Sequence, residues 1–336
     1  MADGTVVIDT DLDSSGIESK IGKLGSVASK GLGAVTVAVG AVSTALVGVG
    51  GVAVKVGMGF ESSMSQVAAT MGITVDEIEK AAKDAGATTQ FSASQSAEAL
   101  NYLALAGYEA EEAASALPTV LNLAAAGGLE LAYASDLVTD SMSALGLEMG
   151  DLEGFTDKLA KTSQKSNTSV AQLGEAILTV GGTAKVLAGG TTELNTALGI
   201  LADNGVKGAE GGTALRNIIL SLTAPTDKAA KKMKELGLEV LDAEGNMRPM
   251  NDIFNDLNDT LSDMTQGEQT QVLNEIFNKT DLKSVNALLA NSGERFDELS
   301  GYIDDATGSA ANMAGTMNNN LKGKITVLGS SLEGLG

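Results

Sequence analysis

The side chains best equipped for chemistry here are carboxylates, and the first to fall in a suggestive pattern are Asp9, Asp11 and Asp13. Acids at alternate positions open the calcium loop of an EF-hand, where they give oxygen ligands to a hard cation. That loop also needs glycine at its sixth place and glutamate at its twelfth. Those places hold Ser14 and Lys20, so the run reads as an exposed acidic turn. A phosphate loop needs glycines that let backbone N–H groups approach the anion. Gly22-Lys23 and Gly323-Lys324 lack the glycine five positions earlier, where Ile17 and Asn318 stand. Gly31-x-Gly33 and Gly57-x-Gly59 lack the third glycine of a dinucleotide fingerprint. With no histidine and no cysteine, Ser-His-Asp, Cys-His and zinc chemistry lose their usual residues. Paired carboxylates remain open to glycoside hydrolysis among 43 acids, but sugar sites use aromatic platforms and the chain has six Phe, four Tyr and no Trp. The reading is a non-enzyme with no catalytic, cofactor-binding or metal residue to nominate.

Charge narrows the partners. Twenty-two Lys and Arg against 43 Asp and Glu leave a net charge of −21. Such a surface repels phosphates, which argues against tight nucleic-acid binding while suiting a place beside moving DNA. The acidic N-terminus, without a basic region, is not a signal peptide.

The elements that would position any site read as helices. The hydrophobic fraction of 43% over 336 residues supports two or three domains. Aromatics make up only 3%, while glycine occurs 41 times and proline three times, which points to thin layers of short helices. The expected class is all-α: packed multi-helix units with an internal repeat. Ser92 and Ser94 are alternative starts for one helix, and another starts near Glu109, is interrupted at Pro118 and re-initiates towards Gly127-Gly128. At an offset of 77 residues, Ser92, Gln95, Glu98 and Ala99 match Ser169, Gln172, Glu175 and Ala176. Leu117, Thr119 and Leu121 likewise match Leu194, Thr196 and Leu198, and Gly128 matches Gly205. The expected division is an N-terminal strand, helix and apolar segment over 1–59, helical unit 1 over 60–150 and its repeat over 151–225. A C-terminal helical unit follows over 226–307, then a linker over 308–336 into a further remainder. Lys228, Lys231, Lys232 and Lys234 form a solvated helix face. Residues 238–249 read as a small β-hairpin around Asp242-Ala243-Glu244-Gly245-Asn246. Thr265 and Glu268 form a capping box.

Residues 31–54, uncharged and rich in Gly, Ala and Val, are long enough to cross a bilayer core of about 30 Å as a helix. Six glycines weaken such a helix. A buried or self-associating segment and a membrane-contacting one both stay open.

From Phe60 to Pro225 the order of features resembles the core region of phage tail tape measure proteins. The resemblance is carried by Phe60-Glu61 with Met64, and by Thr88-Thr89-Gln90-Phe91-Ser92-Ala93. It continues in Leu103-Ala104-Leu105-Ala106-Gly107-Tyr108 and in Leu117-Pro118-Thr119-Val120-Leu121-Asn122-Leu123-Ala124-Ala125. Ala134-Ser135-Asp136-Leu137-Val138 and Gly212-Thr213-Ala214-Leu215-Arg216 complete it. The resemblance implies a structural virion protein made in the bacterial cytoplasm. Several copies would lie inside the tail tube, scaffold its assembly, set tail length, and leave or rearrange at DNA ejection. Its implied partners are the tail tube protein, tail tip or baseplate proteins, a tail assembly chaperone and other copies of itself, with host-membrane contact through 31–54. Two other readings stand beside it: a membrane-active, pore-forming helical protein using 31–54, and a soluble helical scaffold for a protein partner.

Overall fold

The computed structural model describes residues 58–319, which form fifteen α-helices without a sheet. The acidic run at Asp9 to Asp13, segment 31–54 and the Gly323-Lys324 pair lie outside the described residues. The helices are α1 (58–71), α2 (Glu79–Thr88), α3 (Ala93–Leu105), α4 (Ala110–Gly127) and α5 (Leu131–Leu145). Next come α6 (Leu152–Lys165), α7 (Val170–Val180), α8 (Gly190–Asp203) and α9 (Gly208–Thr223). The last six are α10 (Asp227–Leu236), α11 (Met250–Leu261), α12 (Gln266–Ile276), α13 (Leu282–Ala290), α14 (Glu294–Asp304) and α15 (Ser309–Asn318).

Local rules explain many of the boundaries. Ser92 accepts from the Gln95 N–H at 3.2 Å, while Gln95 returns a bond to the Ser92 N–H, closing a capping box at the start of α3. Thr265 and Glu268 do the same for α12. Within α9, Leu215, Ile218, Ile219 and Leu222 recur at helical spacing and are buried together.

The 77-residue offset reappears in three dimensions. Helices α3 and α7 start at Ala93 and Val170, and α5 and α9 at Leu131 and Gly208. Ser169 caps α7 through the Gln172 N–H, also at 3.2 Å, as Ser92 caps α3. The pairs α2–α3, α3–α5, α2–α4 and α4–α5 touch, and so do α6–α7, α7–α9, α6–α8 and α8–α9. The second copy departs where Gly181 (φ 56°) ends α7 early and a 3-10 turn, Gly181–Val186, follows. One continuous core joins everything from Phe60 to Ile303.

Three expectations need correction. Helix α4 runs unbroken through Pro118. The missing N–H and ring clash cost about 3 kcal/mol in a helix interior. Leu117, Val120 and Leu121, all 0% exposed, hold both halves in line. The region 238–249 is not a β-hairpin: a single bridge, Leu241 to Met247, is all that forms. The Asp242 carboxylate takes the N–H groups of Glu244 and Asn246, which curls the loop, and Pro249 has no N–H to extend a ladder before α11 begins. Finally, the Gly/Asn/Ser-rich stretch that reads as linker contains α15, packed on α4 and α6.

Candidate functional site: the buried carboxylate clamps

The family-like motifs settle at turns, caps and crossings. Thr89 donates its hydroxyl to the Ala85 carbonyl at 2.9 Å and accepts from the Phe91 N–H at 3.2 Å, which shapes the corner between α2 and α3. Gly107 takes a positive φ of 92° after α3, and Tyr108 then points its hydroxyl at the Met142 sulfur. Gly212 lies where α9 crosses α7: a Cβ there would sit 2.2 Å from the Ala176 carbonyl oxygen. Its neighbour Arg216 donates to the Thr179 carbonyl at 3.4 Å. Leu137 of α5 leans on Gly174 of α7 in the same close-packed manner. These residues bring helices together and do not converge on a cavity.

Polar chemistry concentrates instead where residues 150–225 meet 226–319. Asp157, 3% exposed on α6, accepts from the Gly308 N–H at 2.6 Å and the Ala310 N–H at 2.8 Å. Glu193, 4% exposed on α8, accepts from the Gly189 N–H at 2.9 Å and from the Met250 N–H. Each carboxylate therefore meets the start of a distant helix, α15 or α11, where unpaired N–H groups and the helix dipole favour negative charge. Burial still raises the Glu193 carboxyl above its ordinary value, against the pull of its two backbone bonds and with Asp252 adding to the rise.

Further bonds tighten the same junction. Thr192 donates to Asp304 at 2.7 Å, and Asn217 to both oxygens of Asp281 at 3.2 Å. On the 226–319 side, Asn251 donates to Asp297 and accepts from the Gly293 N–H, both at 2.8 Å, which steadies α11 against the start of α14. Arg295 reaches Asp203 at 3.0 Å and the Lys165 carbonyl at 3.3 Å. The arrangement locks helices.

Among the described residues, no three or more Asp or Glu are grouped to hold a metal ion, and no helix is long and apolar enough to cross a membrane. The lysine face of α10 is tied to acids: Lys232 bridges Glu235 and Glu275 at 2.9 and 3.0 Å. Sequence reasoning nominated neither Asp157 nor Glu193. The available signal was their position: Asp157 lies between Phe155 and Leu159 on the buried side of α6, and Glu193 between buried Thr192 and Leu194.

Comparison with known proteins gives this packing a context. The tape measure protein of Pneumococcus phage Dp-1 is 33% identical over 296 residues, covering 87% of this chain and 26% of that protein. A probable tape measure protein of Escherichia phage P2 is 27% identical over 288 residues, covering 83% of this chain and 35% of that protein. The chain thus spans about a quarter to a third of the length of these curated relatives. No solved structure matches. Residues 79–278, from the first residue of α2 to just past α12, match the phage-related minor tail protein family, and the crossings and caps described above fall largely within that span. The chain belongs to that family.

Proposed function

We propose that this chain is the folded helical block of a phage tail tape measure protein. It works as a structural part and not as an enzyme. It lies with other copies in the tail tube, scaffolds polymerisation of the tube protein, and takes part in setting tail length. It engages tail tip or baseplate proteins and a tail assembly chaperone, and it leaves or rearranges at DNA ejection. The observation that carries this reading is the similarity to tape measure proteins of two phages over more than four-fifths of the chain.

The geometry supports a division of labour. A ruler works by extension, at about 1.5 Å per residue in a helix. The longest helix with defined bounds here, α4, has 18 residues, and the helices fold back on one core. This block is therefore an anchoring and organising part, and the ruler lies in sequence outside it. A nonsense mutation early in the gene tests the assignment. Electron microscopy of the lysate should show heads without tails, or tubes of uncontrolled length. Normal tails of uniform length would sink the proposal.

A further inference from the structure

Helix α15 is held differently from its neighbours. It has ten residues, fewer than the roughly 12–15 at which an isolated helix becomes even marginal in water, and Gly315 weakens its middle. Its buried side chains, Ser309, Ala310 and Ala314, are all small, whereas α9 buries Leu215, Ile218, Ile219 and Leu222. Apolar stabilisation scales with area buried, so packing contributes far less to α15 than to α9.

Its N-terminus is fastened instead. Asp157 accepts from the Gly308 N–H on Oδ2 and from the Ala310 N–H on Oδ1, across 151 and 153 residues of sequence. Both bonds are charge-assisted and satisfy donors that the helix cannot pair internally. Helix α15 touches α4 of the first helical unit and α6 of the second, so it straps the seam between them. Helix α15 is the last of the described helices in the chain.

We infer that α15 is a releasable strap: it closes the seam between the two helical units with Asp157 as its fastener, and it detaches as a unit before the rest of the block opens. Release uncovers the parts of α4 and α6 beneath it and leaves the direct α4–α6 and α5–α7 contacts to hold the two units together.

Native-state hydrogen exchange on the full chain, read by mass spectrometry across a sub-denaturing urea series, tests this. In the parent protein the amides of 309–318 should exchange at least about a hundredfold faster than those of α7 and α9, with little dependence on urea. Asp157→Ala should speed α15 alone by a further factor of about ten, and Asp157→Asn, which keeps one acceptor oxygen, should fall between. Exchange of α15 at the rate of α7 and α9 in the parent overturns the inference. So does a variant that speeds every helix together, or none. If Asp157→Ala does not fold, the urea series on the parent decides alone.

Discussion

Gly212, where an added Cβ would meet a nearer atom than at any other described glycine, sets up a sharp test. Gly212→Ala adds one methyl group where α9 crosses α7. Its carbon would lie 2.2 Å from the Ala176 carbonyl oxygen, 2.7 Å from Thr179 Cβ and 2.9 Å from the Ala176 carbonyl carbon. Two of those three atoms are backbone, so no rotamer change relieves the contact. The helices must separate until the shortest gap grows from 2.2 to at least 3.0 Å. Opening a packed interface by that much forfeits a quarter to a half of the affected dispersion wells. It loosens the α7–α9 interface, along which both helices bury apolar side chains. Overpacking of this kind costs about 3 kcal/mol, and the better helix propensity of alanine returns about 1, leaving a net loss of about 2 kcal/mol. That corresponds to a fall in Tm of about 4–8 °C. Gly154→Ala in α6, with open space around the added carbon, is the internal control and should gain up to about 1 kcal/mol. Thermal unfolding followed by circular dichroism reads both. A Gly212→Ala protein as stable as Gly154→Ala would refute the crossing geometry.

Other predictions follow from single contacts. Ser92→Ala and Ser169→Ala each remove the equivalent helix cap of the two repeats and should each cost about 1 kcal/mol in chemical denaturation, with the double variant close to additive; strong non-additivity would mean the caps are not independent. Pro118→Ala restores an N–H facing the Ala114 carbonyl within a continuous helix and should stabilise by about 1–2 kcal/mol after the loss of proline's restraint on the unfolded chain; a lower Tm would contradict an unbroken α4. Burial lifts the Glu193 carboxyl above its ordinary value of 4.5, so the folded state holds that proton more tightly than the unfolded state. The resulting stability is complete below the ordinary value and is lost as pH rises through the raised one. Glu193→Gln, neutral throughout, should therefore gain on the parent in urea midpoint as pH rises from about 4 to 8; a difference that stays constant with pH would count against a raised carboxyl.

What was legible in the sequence follows the range of the forces involved. The capping box at Thr265 acts over three residues, so its partner Glu268 stands beside it in the chain, whereas between Ser92 and Ser94 the sequence offers two starts and the bonds with Gln95 select the first. The repeat was visible because caps and turn glycines, Ser92 with Ser169 and Gly128 with Gly205, recur at one offset. Pro118 misled because propensity speaks for a single residue, while fully buried neighbours on both sides decide the helix. The hairpin failed because Asp242 satisfies the loop through its side chain and Pro249 withholds a donor. Asp157 and Glu193 were not legible as clamps, since the N–H groups that use them at α15 and α11 lie 151 and 57 residues away. Composition hid α15 for the same reason: a Gly/Asn/Ser-rich stretch becomes a helix once distant partners hold it.

Tail length against coding length tests the central claim most directly. In-frame deletions placed in the complete gene outside the folded block should shorten tails, measured by electron microscopy, in proportion to the residues removed, at about 1.5 Å per residue for helical sequence. Deletion of the block itself should instead abolish tails or their uniform length. Tails whose length ignores the deletions outside the block would contradict the account.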